Sequence, residues 1–238
     1  MERKEAIQSA YRLTGSNQFY DGMITCSTLP GKAVCRLVWA MNKKECDAYL
    51  ADALSGIPED FSGSLLEIPV GTGILTMPLY KTLPNARVTC LDYSPDMMAQ
   101  AREKASHLSL SNVTFGQGDV GALPFADESF DIVLSLNGFH AFPDKQAAYR
   151  ETLRVLKPGG IFCGCFYISG EHRRTDWFIR HVYEPAKFFT PPYETMPSLR
   201  TRLQSLYETV RLGNLKSIAW FVCKKVKYAE KMEEGHHE

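Results

Sequence analysis

The hydrophobic pattern of the chain changes near residue 60. Before that point apolar residues recur near helical spacing as far as Leu54, and Gly56 and Pro58 then interrupt them. From Ser64 onward, short apolar runs alternate with helical segments. Alternating strands and helices are typical of a largely parallel sheet that is covered on both faces. The sequence therefore predicts a helical preface followed by an α/β domain.

The predicted elements follow one another along the rest of the chain. We read strands in SLLEIPV, ARVTCLDY, NVTFGQGDV, FDIVLSLN, GIFCGCFYI and SIAWFVCKKV, and helices in ILTMPLYKTL, PDMMAQAREKAS, DKQAAYRETLRVL and SLRTRLQSLYETV. Ser94 and Pro95 are a typical helix start, and LKPGG follows a helix that ends near Leu156. Regularity lapses from Ser169 to about Pro197, a length that predicts a functional lid or a linker.

Composition narrows the class of protein. The 238 residues, 45% of them hydrophobic, can fill one large core, which argues against disordered and fibrous classes. The 27 basic residues balance 27 acidic ones, and acidic residues interrupt the basic ones of the irregular segment, so we expect no nucleic-acid partner. No apolar run approaches the ~20 residues of a membrane span, and MERKEAIQ lacks the order of a secretory signal. We therefore expect a cytoplasmic protein with no membrane partner.

The cysteines do not form a recognisable framework. They are odd in number and include no CxxC pair, which fits neither a disulfide scaffold nor a zinc site. We therefore predict reduced thiols and no bound metal. The cysteines are Cys26, Cys35, Cys46, Cys90, Cys163, Cys165 and Cys223.

The stretch LLEIPVGTG lies where the first predicted strand turns into a helix. Ligands of parallel sheets bind beyond the carboxyl ends of the strands, and Gly71 and Gly73 let the backbone approach a ligand closely. A dinucleotide pyrophosphate requires free N–H groups at a GxGxxG spacing. Pro69 has no N–H, Thr76 is bulky, and Glu67 is negatively charged. The loop therefore favours a ligand with an ammonium group.

Two further aspartates end or follow predicted strands. Asp92 can accept hydrogen bonds from both hydroxyls of a ribose, and Tyr93 and Met97 can lie against a purine ring. Asp119, in GQGDVGALPF, can accept from an exocyclic amine. The structural alternatives are that Asp92 caps a turn and that Asp119 is a turn residue.

Together these segments resemble the class I S-adenosylmethionine-dependent methyltransferases, with a core of the methyltransferase type 11 or UbiE-like kind. The resemblance covers roughly Ser64 to Ser169, through LEIPVGTG, CLDYSPDMMAQARE, GDVGALPFADESFDIVLSLNGFH and RVLKPGG. It departs from the family pattern at Pro69, where glycine is usual, and at Val70, where a small residue such as cysteine is frequent. It implies an α/β, Rossmann-like fold, a doubly wound seven-stranded mostly parallel sheet with helices on both faces.

The pattern along the chain predicts the domain organisation, and the resemblance implies the cofactor. Residues 1–60 would form an N-terminal helical cap, residues 61–228 the methyltransferase domain with a lid insertion at about 170–197, and residues 229–238 a tail. The cofactor would be S-adenosylmethionine, leaving S-adenosylhomocysteine as product. The cofactor-binding residues that it implies are Glu67, Pro69, Gly71, Gly73, Asp92, Tyr93, Met97, Asp119, Val120, Leu136 and Asn137.

Methyl transfer from a sulfonium is an in-line displacement, which mainly needs alignment and exclusion of water. A base is needed only if the acceptor loses a proton, and His140 is the candidate; the alternative is a structural histidine bonded to the loop backbone. Tyr20, His140, Trp177 and Tyr183 are the candidate substrate residues. Aromatic residues beside a few arginines predict a flat, apolar or weakly anionic small molecule, unless they simply pack the lid onto the sheet.

The predicted activity is methyl transfer to a small-molecule acceptor (EC 2.1.1.-). Two alternatives stay open. One is a protein of the same fold that binds the cofactor without turnover, and the other is a nicotinamide-dependent oxidoreductase.

Overall fold

The computed structural model describes residues 17–227. These residues contain a sheet whose strands are β1 Ser64–Glu67, β2 Arg87–Asp92, β3 Val113–Gln117, β4 Phe130–Leu136, β5 Leu156–Tyr167, β6 Thr209–Leu215 and β7 Ile218–Lys224. The seven strands lie in the order β3-β2-β1-β4-β5-β7-β6. Strands β1 to β5 are parallel, and β7 is antiparallel to both β5 and β6. The predicted Rossmann-like, doubly wound fold with seven strands is confirmed.

Eight α-helices and one π-helical turn cover the sheet within the described residues. The helices are α1 Asn17–Ile24, α2 Leu29–Leu37, α3 Lys43–Leu54, α4 Met77–Lys81, α5 Pro95–His107, α6 Lys145–Val155, α7 Arg173–Phe178 and α8 Met196–Leu206, and the π-helical turn is Ile179–Tyr183. Helix α5 begins as the sequence predicts, because the Ser94 hydroxyl accepts from the Met97 amide at 3.4 Å. None of these helices is long and apolar enough to cross a membrane.

The core has two layers because both faces of the sheet are covered. Leu65 and Leu66 are neighbours in β1 and point to opposite faces, yet both are fully buried. Leu65 packs in the hydrophobic cluster on one face, and Leu66 packs in the cluster on the other. The strand order reverses between β1 and β4, which are paired side by side. This switch point places a cleft at the carboxyl ends of the two strands.

The last third of the sheet differs from the sequence prediction. The helix predicted over SLRTRLQSLYETV ends at Leu206, and Thr209 begins β6, a strand that we had not located. Tyr207 adopts an extended conformation and is buried in the core. Strand β6 then pairs along its whole length with β7. The pairing with a strand that follows in sequence overrides the local helical pattern.

Two other element boundaries also differ between the structure and the sequence prediction. Strand β5 begins at Leu156, directly after α6, so that LKPGG lies inside the strand instead of forming a connection. The segment predicted to be irregular contains α7 and the π-helical turn. The His172 ring starts α7 by accepting from the Thr175 amide at 3.3 Å, and Thr175 and Ile179, four positions apart, are both fully buried. The tail predicted at 229–238 lies outside the described residues.

Candidate functional site

A cavity opens at the carboxyl ends of β1, β2 and β4. We call it the acidic cavity, because three carboxylates, Glu67, Asp92 and Asp119, contribute to its wall. Among the described residues that line it, none is lysine, arginine or histidine. Such a wall disfavours phosphate groups and suits a ligand that carries an ammonium group, hydroxyls and amines. The structure brings together all the predicted cofactor residues here, namely Glu67, Pro69, Gly71, Gly73, Asp92, Tyr93, Met97, Asp119, Val120, Leu136 and Asn137.

Glu67, at the end of β1, is 1% exposed. Its Oε2 accepts from the Tyr80 hydroxyl at 2.8 Å, and the Cys90 thiol lies 3.6 Å from the same oxygen. Burial raises the pKa of Glu67 to about 8, because the ionised carboxylate loses its water. The carboxyl group is therefore mostly protonated at neutral pH in the free protein.

Asp92, at the end of β2, ties the glycine loop to the sheet. Its Oδ2 accepts from the Gly71 amide at 2.8 Å, and its Oδ1 accepts from the Ser94 amide at 2.8 Å. Burial raises the pKa of Asp92 to about 6, although these two backbone hydrogen bonds oppose the shift. Asp92 thus caps a turn and also faces the cavity, so the two interpretations of this residue are compatible.

The loop itself depends on left-handed backbone at its glycines. Gly71 has φ 56° and Gly73 has φ 69°, a region that other residues enter at a cost. The Ile68–Pro69 peptide bond is cis. Pro69 packs against the loop after β4, where a Cβ at Gly138 would collide with the Pro69 ring. The proline therefore fits because its neighbour is a glycine, a pairing that the sequence did not reveal.

The remaining cofactor candidates lie on the β2 and β3 side. Met97 is buried and Tyr93 is exposed. Strand β3 ends at Gln117, and Asp119 lies just beyond it, where its Oδ1 accepts from the Gly121 amide at 3.0 Å. Asp119 is therefore a turn residue, as one alternative held, and it lines the cavity together with Val120.

A second cavity adjoins the first. We call it the aromatic cavity, and Tyr20, Ile24 and Asn137 line both cavities. No lysine, arginine, aspartate or glutamate occurs among the described residues of its wall. Its wall consists of Tyr20, Met23, Ile24, Val34, Cys35, Val38, Trp39, Met41, Cys46, Tyr49, Asn137, His140, Phe178, Val182, Tyr183, Phe188, Phe189 and Ile218.

His140 lies in the wall of the aromatic cavity and is buried. Its Nδ1 accepts from the Tyr167 amide at 3.2 Å, and its ring stacks on Phe189 with the ring centroids 4.0 Å apart. Burial, with a smaller effect of Lys145, lowers the pKa of His140 to about 3. Because Nδ1 accepts, the neutral ring carries its proton on Nε2. This geometry supports the alternative of a histidine bonded to the backbone, and it favours a hydrogen-bond donor over the predicted base.

The structure separates the predicted aromatic residues. Tyr183 lines the cavity, with its ring centroid 5.4 Å from that of Phe189. Trp177 does not line it, because 53% of its surface is exposed and it stacks on His181 with the ring centroids 4.8 Å apart. Thr175 and Ile179 face the core, so Trp177 is turned outward. We therefore correct the prediction of a substrate role for Trp177, since this residue lies on the surface and not in the cavity wall.

Trp39 was missed by the sequence analysis. It follows α2, lines the aromatic cavity, and lies 6.2 Å from Tyr167 and 6.3 Å from Phe189 between ring centroids. The signal that could have found it is a bulky aromatic residue just after a predicted helix of the preface. Arg173, Arg174 and Arg180 do not line the cavity, which removes the reason to expect an anionic ligand.

Asp21, which directly follows Tyr20, fastens the preface to the loop. Its Oδ1 accepts from the Thr72 hydroxyl at 2.6 Å, and its Oδ2 lies 3.0 Å from the Lys104 ammonium. Helix α1 is thereby held against the glycine loop and α5. Its neighbour Tyr20 consequently lies between the two cavities.

We expect Asp21→Ala to weaken binding of S-adenosylhomocysteine by about threefold to tenfold, since a hydrogen bond and a partly buried ion pair are lost. Isothermal titration calorimetry measures the change. Asp47→Ala is the matched control, because Asp47 pairs with Lys43 on an exposed helix surface. Equal affinity of the Asp21 and Asp47 variants would show that α1 does not support the loop.

The cysteine prediction is wrong for two residues. Cys26 and Cys35 form a disulfide, and the Cys46 Sγ lies 3.1 Å from the Cys26 Sγ. The reason is that α1, α2 and α3 converge, which brings cysteines that are distant in sequence into one buried cluster. The other cysteines, Cys90, Cys163, Cys165 and Cys223, are free and buried.

The comparisons with known proteins agree with this geometry. Residues 65–160 match a family model described as a methyltransferase domain. A demethylmenaquinone methyltransferase of Thermus thermophilus is 43% identical over 96 residues, which is 40% of this chain and 43% of that protein. The chain spans 31–47% of the length of such curated relatives.

Solved structures share the fold at low sequence identity. The YcgJ protein of Bacillus subtilis matches with a TM-score of 0.61 at 18% identity, over 76% of this chain and 99% of that one. The cyclase SpnF matches with a TM-score of 0.64 at 17% identity, over 78% of this chain and 83% of that one. These likenesses concern the fold alone.

The fold and the acidic cavity define the class I, Rossmann-like methyltransferase architecture. The resemblance predicted from the sequence is confirmed, and residues 65–160 match the model of the methyltransferase-domain family.

Proposed function

We propose that the protein transfers a methyl group from S-adenosylmethionine to a flat, uncharged small molecule. The observation that carries this proposal is the junction of the two cavities at Asn137, Tyr20 and Ile24. The acidic cavity suits the methyl donor, and the apolar aromatic cavity suits an aromatic acceptor. The two cavities meet at this junction. The reacting groups can meet at this junction without a path through bulk water.

The residues of the acidic cavity fit the cofactor. Glu67 would pair with the amino group, Gly71 and Gly73 would line the methionine tail, and Asp92 would bind the ribose. Asp119 and the Val120 backbone would hold the adenine, and Leu136 and Asn137 would border the sulfonium. The buried carboxyl group of Glu67 supports this assignment, since a cation is the partner that its ionised form needs. When bound, the cofactor supplies a methyl group that is already activated by positive charge.

The aromatic cavity would orient the acceptor. Trp39, Tyr183 and Phe189 provide edges and faces for a planar ring. The His140 Nε2–H would donate to an oxygen on that ring. Because the wall lacks fixed charge among the described residues, a neutral ring fits better than an anion.

We propose a quinol or another hydroxylated aromatic ring as the acceptor class. The apolar, aromatic wall with one imidazole donor supports it, and the name of the Thermus relative points to the same chemistry in that protein. The matching segments exclude most of the aromatic cavity, so the identity of the ring rests on the cavity and not on the relative.

The test is incubation with S-adenosylmethionine labelled in the methyl group and a panel of quinols, phenols, indoles, amines and carboxylates. We expect label in neutral hydroxylated rings and none in carboxylates. Binding of S-adenosylhomocysteine without transfer to any compound would support the alternative of a binding protein. A rise in melting temperature with NAD, but not with S-adenosylhomocysteine, would support an oxidoreductase.

We expect Asp92→Ala to weaken S-adenosylhomocysteine binding by about tenfold, because the ribose loses an acceptor and the Gly71 amide loses its anchor. Calorimetry measures the affinity, and circular dichroism checks that the fold is retained. Asp131→Ala is the control, because the Asp131 carboxylate also accepts from a strand amide, that of Ser64, but does not line the acidic cavity. Unchanged affinity in Asp92→Ala would refute the ribose assignment.

A further inference from the structure

The three cysteines of the preface lie on three separate segments. Cys26 follows α1, Cys35 lies in α2, and Cys46 lies in α3. All three are buried, with at most 6% of each residue exposed. Their sulfur atoms all lie within 4.8 Å of one another. The cluster is not what attaches the preface to the sheet, because α3 already packs on β5 and β7.

The spacing of the sulfurs suits a soft metal ion. Zinc binds thiolates at ~2.3 Å, which places tetrahedral sulfurs about 3.8 Å apart. The Cys26–Cys46 distance of 3.1 Å is somewhat shorter than this value. When the Cys26–Cys35 bond is reduced, the two sulfurs separate to non-bonded distance. A tetrahedral site then requires side-chain rotations that bring all three sulfurs to this spacing.

The cluster is also accessible from the aromatic cavity. Cys35 and Cys46 line that cavity, and so do Met23 and Met41, whose thioethers are soft as well. An ion can therefore reach the thiols through the cavity, and a fourth coordination position can face it. Three protein ligands with one open position are also the arrangement of catalytic zinc sites.

The end of α1 fixes the position of Cys26. Cys26 has φ 50°, because it is the left-handed residue that ends the helix. Its amide donates to the Met23 carbonyl at 3.3 Å, and the Ser27 amide donates to the Gly22 carbonyl at 3.1 Å. The Cys26 Sγ is held 3.1 Å from the Cys46 Sγ.

We propose that Cys26, Cys35 and Cys46, once reduced, form a binding site for a soft divalent d10 cation of the zinc and cadmium class. This inference is independent of the proposed methyl transfer. It revises the expectation of no metal, which came from the absence of a CxxC pair. That expectation missed the site because its ligands come from three helical segments and not from one motif.

The site and the disulfide exclude each other. A dithiol reductant gives two electrons and two protons to the Cys26–Cys35 bond, and the reductant becomes a disulfide. The cation then displaces the three thiol protons, and an anionic trithiolate complex with a divalent ion results. In the oxidised protein, Cys46 is left as the one thiol of the cluster, and a single thiol does not hold the ion.

The test uses cadmium ion as the probe. The 238-residue chain is reduced with a phosphine, desalted without oxygen, and titrated with cadmium chloride while thiolate-to-metal absorption in the ultraviolet is recorded. We expect saturation near one cadmium per chain and release of about three protons at neutral pH or below. The same protein with its disulfide intact should show no such band.

Two variants locate the site. Cys46→Ala should lose the band, whereas Cys223→Ala, a matched buried cysteine away from the preface, should keep it. Circular dichroism and S-adenosylhomocysteine binding report whether each variant is folded. If reduced wild-type protein binds no cadmium stoichiometrically, the proposal is overturned. It is equally overturned if the band survives in Cys46→Ala or in the oxidised protein.

Discussion

Glu67→Gln is expected to reduce the affinity for S-adenosylhomocysteine by about tenfold to a hundredfold, because a charge-assisted hydrogen bond is replaced by a neutral one. Glutamine keeps the volume of the side chain and an acceptor for the Tyr80 hydroxyl. The variant is therefore expected to fold. Titration calorimetry measures the loss.

The pH dependence of binding distinguishes this charge effect from a loss of shape. In the free protein burial raises the pKa of Glu67 to about 8, and an ammonium partner lowers it again. Ligand binding at neutral pH must therefore release about one proton, and affinity must rise between about pH 6 and pH 8. Calorimetry in buffers of different ionisation enthalpy counts the proton. Glu67→Gln should show neither the release nor the pH dependence.

Glu103→Gln is the control, because Glu103 lies on the exposed surface of α5. It should bind and release protons like the wild type. Wild-type affinity that stays constant with pH would mean that Glu67 does not receive the amino group, even if the protein transfers methyl groups.

His140→Phe is expected to lower kcat/KM for the acceptor by about tenfold to a hundredfold, while binding of S-adenosylhomocysteine stays unchanged. Phenylalanine keeps the stacking on Phe189, but it removes the proposed Nε2–H donor and the acceptor of the Tyr167 amide. The unpaired amide should also reduce stability by about 1–3 kcal/mol. Steady-state kinetics and chemical denaturation measure the two effects.

The pH profile separates a donor from a base. Because burial lowers the pKa of His140 to about 3, the ring stays neutral over the usual assay range. A donor of this kind adds no inflection near neutral pH, whereas a base would lose activity as it is protonated. His107→Phe, on an exposed helix surface, controls for the substitution itself. An inflection of kcat/KM near pH 6–7 that is absent in His140→Phe would show that His140 acts as a base.

The core of the fold was predictable because its signals are local. Strand β1 is buried along its whole length, and the adjacent apolar residues Leu65 and Leu66 fill its two faces. Ser94 and Pro95 mark the start of α5 through hydrogen bonds within a single turn. The acidic cavity follows from this order, since the residues that end parallel strands must meet at one edge of the sheet.

The features that the sequence analysis missed depend on contacts between separate elements of the chain. Strand β6 owes its structure to pairing with β7, and its own residues mix polar and apolar types. The Cys26–Cys35 disulfide depends on how α1 and α2 converge. The orientation of Trp177 depends on which face of α7 packs on the core. No local pattern carries this information, since packing between elements decides it.

The aromatic cavity has one consequence for how such a protein diversifies. Of the described residues in its wall, all but Asn137 and His140 lie outside residues 65–160, the segment shared with the family. The preface and the segment after β5 supply almost all of its surface. Substitutions in these flanks can therefore change the accepted ring while the proposed donor side stays intact. Related proteins with this arrangement can acquire new substrates through substitutions in the preface and after β5, while residues 65–160 stay unchanged.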